Sequence, residues 1–195
     1  MNVAILQYNA GNIRSVYFAL KRLGVEPLIT SNIEELNKAD KIIFPGVGEA
    51  SSAMENLYQN QLDKAIINFK QPVLGICLGM QLLCKHSEEG NTKGLGIFNN
   101  TVKRFPTNKG FKVPHIGWNN ISKLNSKLYE NLKENDYVYF VHSYYADLNE
   151  NTNSVCNYIL EYSAGLQKDN YYATQFHPEK SGDIGEKILK NFLSI

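Results

Sequence analysis

Gly75-Ile76-Cys77-Leu78-Gly79-Met80-Gln81 follows the apolar pair Val73-Leu74 and runs on into Leu82-Leu83. Gly-x-Cys-x-Gly in that setting is the thiol counterpart of the Gly-x-Ser-x-Gly elbow, where a strand ends, the chain turns sharply and a helix starts. The residue at the apex takes a strained backbone conformation that only small neighbours permit. Its sulfur then projects from the carboxyl edge of a sheet, near the positive end of the new helix. The bland alternative is a structural cysteine, since free cysteine is among the most buried residue types. The rest of the chain decides between the two.

Outward from the elbow, the first half alternates strands and helices. Val3 to Leu6 is a short apolar strand broken by Asn9-Ala10-Gly11-Asn12, and Ile13, Val16, Tyr17, Leu20 and Leu23 recur at helical spacing up to a stop at Gly24. Val25 to Thr30 reads as a strand, and Ser31-Asn32-Ile33-Glu34 as a capping box opening a short helix. Lys41 to Phe44 is the next strand, with Pro45-Gly46-Val47-Gly48-Glu49 as its loop, helical sequence over 51–70, and then Val73 to Ile76. This order implies a mostly parallel sheet with helices on both faces and ligands at the strands' carboxyl ends. In the second half Thr101 to Phe105, Tyr137 to His142, Val155 to Tyr162 and Tyr171 to Phe176 look extended, which adds antiparallel strands and makes the sheet mixed. Glu88 to Gly96 and the Asn-rich stretches near 99 and over 149–153 read as surface loops, and Ile184, Ile188, Leu189 and Phe192 give the last helix its apolar face. Cys84, two helical turns beyond Cys77, is expected in the core.

At 195 residues one domain over 1–195 is expected, large enough to bury a substantial core. Lys plus Arg total 20 and Asp plus Glu 19, so the net charge of +1 offers no basic face for nucleic acid. Met1 to Gln7 lacks the basic flank of a signal peptide, and no apolar run is long enough to span a bilayer. Three cysteines without disulfide spacing suit a reducing compartment, so a cytoplasmic protein without membrane attachment is expected.

A thiol nucleophile needs a base, and four histidines are available: His86, His115, His142 and His177. Gln175-Phe176-His177-Pro178-Glu179 follows an apolar-aromatic strand, and Pro178 pushes His177 toward extended geometry. Residues two apart in extended chain share a side, so Glu179 can orient the His177 imidazole and stabilise its charged form. Cys77, His177 and Glu179 thus read as nucleophile, base and orienter. Pro45-Gly46-Val47-Gly48 ends at the same sheet edge, where a Val47 or Gly48 amide and the Leu78 amide would form an oxyanion hole. A nucleotide loop fits poorly, because the third glycine and the lysine are missing. Cys84-Lys85-His86 has no matching pair at metal-site spacing, and neither metal nor cofactor is expected.

The elbow and Gln175-Phe176-His177-Pro178-Glu179 together resemble the class I, triad-type glutamine amidotransferases. Gly11-Asn12-Ile13-Arg14-Ser15-Val16, Pro114-His115-Ile116-Gly117-Trp118-Asn119, Phe140-Val141-His142-Ser143-Tyr144 and Glu179-Lys180-Ser181 are similar to segments of one branch. That branch is the glutaminase subunit of imidazole glycerol phosphate synthase. The resemblance implies a three-layer, flavodoxin-like α/β glutaminase fold and hydrolysis of L-glutamine through a Cys77 thioester. It also puts Gln81 and the Gly46 to Gly48 backbone around the substrate. A zwitterionic substrate needs an anion for its α-ammonium, for which Glu89 is the candidate with Glu88 next, while His142, Ser143 and Tyr144 are expected to receive its α-carboxylate.

The same resemblance implies a heterodimer with a (β/α)₈ cyclase that takes the ammonia for histidine biosynthesis, with Asn12, Trp118, Tyr139 and Lys180 facing it. Gln7-Tyr8-Asn9 departs from the family's usual Asp-Tyr-Gly. Sugar amidation for surface glycans is therefore kept as an alternative acceptor, beside a stand-alone γ-glutamyl hydrolase and a silent docking module.

Overall fold

A computed structural model of the chain describes residues 1–9, 11–107 and 110–195. Its first half runs β1 (Val3–Leu6), α1 (Ile13–Arg22), β2 (Leu28–Thr30), α2 (Ile33–Lys38), β3 (Lys41–Gly46), α3 (Ala50–Gln59), α4 (Leu62–Ile66), β4 (Val73–Cys77) and α5 (Leu78–Leu83). Next come β5 (Cys84–Ser87), β6 (Thr92–Lys93), β7 (Phe98–Arg104), β8 (His115–Asn120), β9 (Tyr137–His142) and β10 (Tyr144–Ala146). β11 (Thr152–Asn157), β12 (Glu161–Lys168), β13 (Tyr171–Thr174) and α6 (Gly182–Ser194) complete the order.

The main sheet runs β2-β1-β3-β4-β13-β12-β10-β7-β5-β6, with β11 on β12 and a separate β8-β9 pair. Its first five strands are parallel neighbours, and β12, β10 and β7 join them antiparallel, so the sheet is mixed as expected. Every residue of β1, β3 and β4 is buried, the mark of strands covered on both faces. Alternate side chains serve two cores. Val3, Ile5, Leu74 and Ile76 pack with Leu20 of α1 and Ile188, Leu189 and Phe192 of α6. Ala4, Leu6, Ile42 and Phe44 pack with Leu36, Met54, Leu57, Leu62 and Ile66 on the other side.

Several local expectations need correcting. The strand expected over 25–30 holds only Leu28–Thr30, because Pro27 has no N–H to give a ladder. Asn32, not Ser31, caps α2, its side-chain oxygen accepting from the Glu34 and Glu35 amides at 2.8 and 3.4 Å. Pro45 and Gly46 continue β3 by pairing with Ile76 and Cys77 rather than starting the loop. The helical stretch over 51–70 breaks after Gln59, where Gln61 turns to φ 56°. The run Val155 to Tyr162 folds back on itself as the β11–β12 hairpin. Asn99 and Asn100 lie inside β7, and the loop expected over 88–96 contains β6. Thr152 and Asn153 likewise belong to β11, not to a loop. Cys84 is buried as expected but opens β5, since α5 ends at Leu83. Ala10, in the expected break after β1, lies outside the described residues.

What matters for the site is that β4 lies between β3 and β13 in register, Gly46 opposite Cys77 and Thr174 opposite Ile76. Three chain segments therefore leave the sheet side by side at one edge. The short α5 folds back onto β3 so closely that a Cβ at Gly79 would overlap the Phe44 carbonyl oxygen, with the carbonyl carbon at 2.9 Å. Both are backbone atoms that no rotamer change can clear. Gly79→Ala is expected to cost roughly 2–4 kcal/mol, seen as a lower urea midpoint at unchanged slope.

Candidate active site

Cys77 closes β4 at φ 54°, ψ −108°, a conformation that costs a side-chain-bearing residue about 1–3 kcal/mol. The β3 ladder upstream and the α5 contact downstream hold it there. Its thiol lies 3.8 Å from the Val141 carbonyl oxygen, and the Gln175 amide nitrogen donates to the sulfur at 3.7 Å.

His177 follows β13 with extended backbone, φ −100° and ψ 95°, and Pro178 opens a single 3₁₀ turn over Pro178–Lys180. The expected link to Glu179 forms, but across this turn rather than along an extended strand. His177 Nδ1–H donates to Glu179 Oε1 at 2.7 Å, with both side chains fully buried. The Asn12 amide, from the loop between β1 and α1, also donates to Glu179 Oε1. The backbone of His177 is clamped as well. Its N–H donates to the Tyr139 carbonyl at 2.9 Å, and its carbonyl accepts from Ser181 Oγ at 2.7 Å. Ser181 Oγ in turn accepts from the Tyr139 amide at 3.0 Å, closing a small ring between β9 and the turn.

Burial alone would push the His177 imidazole down in pKa. The Cys77 sulfur beside it, and after that the hydrogen bond and charge of Glu179, outweigh burial and raise it to about 10. With Nδ1 spent on Glu179, Nε2 is buried with no other hydrogen-bond partner. An imidazole whose charged form is favoured by a carboxylate behind and a sulfur in front can hold the thiol's proton and return it elsewhere.

Cys77 opens on a cavity of about 240 Å³ also lined by Val47, Gly48, Leu78, Gln81, Glu89, Ser143 and Tyr144. Val47 and Gly48 follow β3, and Leu78 opens α5, where the first backbone amides have no helical acceptor. Gly46 does not reach the cavity. A Cβ there would strike the Tyr8 hydroxyl, so its place is packing beneath the elbow. Glu89 forms part of the wall. Its carboxylate accepts from the Ala50 amide at 2.9 Å, while burial, followed by repulsion from Glu49, outweighs that bond and raises its pKa. Glu88 points away, accepting from the Arg104 amide at 2.8 Å.

His142 also lines the cavity, but its ring is spoken for, contrary to its expected role toward a carboxylate. Nδ1–H donates to the Tyr144 carbonyl at 2.7 Å, so Nε2 accepts from the Tyr162 hydroxyl at 3.2 Å. The Tyr162 oxygen then accepts from His115 Nδ1–H at 3.2 Å. Burial is the main cause that depresses both rings, His142 to about 3 and His115 to about 4, so both are neutral.

Of the residues expected to face a partner, Asn12 turns its amide inward to Glu179. Trp118 is 55% exposed, Tyr139 packs edge-on against it, and Lys180 is exposed. Gln175 and Ser181 stood in the quoted motif segments without a role. The other two cysteines are shut away. Burial pushes Cys156 up to about 11 and Cys84 higher still.

Because the folded pKa values of His115 and His142 lie below the ordinary 6.5, the unfolded chain takes up their protons first as pH falls. The contribution of these two rings is therefore full above about 6.5 and is lost as pH drops toward about 4. His115→Phe preserves the stacking on Phe140 and Tyr158 but removes one titrating ring. Denaturant titrations across that window should show a smaller acid loss than in the wild type.

The family description "Glutamine amidotransferase class-I" fits residues 5–195. The imidazole glycerol phosphate synthase subunit HisH of Bacteroides fragilis is 59% identical over 196 residues, covering 100% of both chains. That of Haemophilus influenzae is 43% identical over 194 residues, covering 99% of this chain and 97% of its own. PurLQS from Thermotoga maritima superposes with a TM-score of 0.74 at 18% identity, covering 99% of this chain and 97% of that one. A crystal structure of a glutamine amidotransferase gives 0.71 at 22% identity, covering 100% and 98%. At those identities the two structures speak for the fold alone. The elbow, the His-Pro-Glu turn and full-length identity to HisH agree: the chain belongs to the class-I glutamine amidotransferases, among the HisH subunits of imidazole glycerol phosphate synthase.

Proposed function

We propose that the protein is the glutaminase subunit of an imidazole glycerol phosphate synthase, cleaving L-glutamine and passing ammonia to a partner that builds the imidazole of histidine. The observation that carries the chemistry is the fully buried His177–Glu179 pair at 2.7 Å behind Cys77, the one cysteine that opens on the cavity. The pathway follows from the 59% identity along the whole of the Bacteroides fragilis subunit.

In this mechanism the Cys77 sulfur attacks the side-chain amide carbon of glutamine while His177 Nε2 takes the thiol proton. The carbonyl electrons move to oxygen, which the Leu78 amide and a Val47 or Gly48 amide stabilise; each such donor is worth about 10²–10³ in rate. His177 returns the proton to the leaving nitrogen, the C–N bond breaks and ammonia departs, leaving a γ-glutamyl thioester. Water, giving a proton to His177, then attacks the thioester carbon, and glutamate leaves as the thiol is restored. Glu89 faces the α-ammonium, and Ser143 with Tyr144 faces the α-carboxylate. Gln81 contributes an amide oxygen, since both hydrogens of its Nε2 are engaged by Tyr144 O and Gln175 Oε1 at 3.0 and 2.9 Å.

The partner is a (β/α)₈ cyclase, docked on the outer face of the β8–β9 pair. Ile116, Trp118 and Tyr137 lie there 60%, 55% and 56% exposed, in register with Val141, Tyr139 and Asn120. Exposed aromatic and aliphatic anchors of this size are the usual energetic centre of an interface. The backbone of β9 touches the site, through the Tyr139 carbonyl on His177 and the Val141 carbonyl near Cys77. A cytoplasmic location belongs with that role; among the described residues no helix is long and apolar enough to cross a membrane.

Glutamate release, assayed with the purified cyclase and its ribonucleotide ligand, should be strongly stimulated. Cys77→Ala should lower it at least about 10³-fold while still binding the cyclase. Stimulation by a sugar-modifying synthase instead would move the ammonia to the alternative acceptor, and full activity without any partner would leave a stand-alone hydrolase. Trp118→Glu should weaken cyclase binding by about 2 kcal/mol or more in calorimetry, with Cys77 alkylation unchanged.

A further inference from the structure

Gln175 has no part in the mechanism above, yet its side chain is fully buried and reaches the nucleophile. Its backbone is fixed by donation from its amide to the Ala164 carbonyl at 2.8 Å. The orientation of its side chain is set by a chain of donors and acceptors that admits one solution. The Tyr144 carbonyl can only accept, so the Gln81 atom 3.0 Å away is Nε2. That nitrogen also lies 2.9 Å from the Gln175 side chain, which must meet it with Oε1. Turning the Gln175 amide over would set two NH₂ groups face to face in a buried site. Nε2 of Gln175 is thereby forced toward Cys77 Sγ, at 3.7 Å. The Tyr144 carbonyl is itself held, since it also accepts from the neutral His142 ring at 2.7 Å.

We propose that Gln175 is a positioning residue for the nucleophile: locked by Gln81, it gives Cys77 an N–H that holds the sulfur as an acceptor, aligned for attack. A hydrogen bond to a charged acceptor is worth roughly twice one to a neutral acceptor, so this donor counts most as the sulfur gains charge in attack. The contact is compatible with the thiol giving its hydrogen to the Val141 carbonyl, since the sulfur accepts on a lone pair while its S–H donates. What the sulfur attacks is taken from the glutaminase mechanism proposed above; the orientation of Gln175 does not depend on it.

The test compares wild type with Gln175→Met, which keeps length without a donor, and Gln175→Glu, which replaces the donor with a carboxylate. Alkylation of Cys77 by iodoacetamide, followed against pH, should shift to higher pH in both. At neutral pH it should slow about ten-fold in Gln175→Met, the usual worth of a hydrogen bond to a charged group, and more in Gln175→Glu. In the cyclase-stimulated assay kcat should fall with KM little changed. A folded variant whose alkylation profile matches wild type would overturn the proposal. Wild type alone offers the same test by NMR: the Gln175 side-chain amide protons should move as the sulfur ionises, and their indifference would overturn it too. Alkylation and NMR need neither glutamine nor partner. A wild type that releases no glutamate with the cyclase would therefore sink the glutaminase assignment and leave the result on Gln175 standing.

Discussion

The alignment of β4 between β3 and β13 is the constraint on which the site depends. Parallel pairing brings the carboxyl ends of these strands level, with Gly46 opposite Cys77 and Ile76 opposite Thr174. Cys77 at the end of the middle strand is then flanked by the β3 loop on one side and by the histidine after β13 on the other. No long loop has to close to bring them together, although Cys77 and His177 are far apart in sequence. The close approach of Gly79 to the Phe44 carbonyl fixes how steeply the chain leaves β4, and with it the strained backbone of Cys77. Strain of this kind persists because both flanks over-determine it.

Around that frame the polar groups are arranged by donor and acceptor capacity. Two backbone carbonyls of β9, Tyr139 and Val141, meet His177 and Cys77, and the Tyr144 carbonyl just beyond receives Gln81 and His142. A carbonyl cannot donate, so each one propagates a definite polarity into the side chains it meets. That is why His142, His115 and Tyr162 form one directed chain, and why His142 is a neutral wall of the cavity instead of a cationic ligand.

Much of this was legible in the sequence because the decisive signals are local. Gly75 to Gln81 encodes a strand, a tight turn and a helix in seven residues, and His177-Pro178-Glu179 carries a buried imidazole–carboxylate pair in three. The misreadings have physical causes. The β11–β12 turn is built from Tyr158-Ile159-Leu160, apolar residues that hide a reversal inside one hydrophobic run. The helix break at Gln61 has neither glycine nor proline to announce it. The contacts of Asn12 with Glu179 and of Gln175 with Cys77 were invisible because they lie across 167 and 98 positions of chain. No periodicity or spacing carries such pairings; only the register of the sheet does.

Burial treats the three thiols unequally. Cys84 and Cys156 are sealed in the two cores with their ionisation suppressed, whereas Cys77 stands at a cavity wall against an imidazole. Thiol-directed electrophiles thus meet a single reachable target. The moles of reagent taken up by the native protein count its intact sites directly, so a preparation can be titrated for competent molecules without a turnover assay.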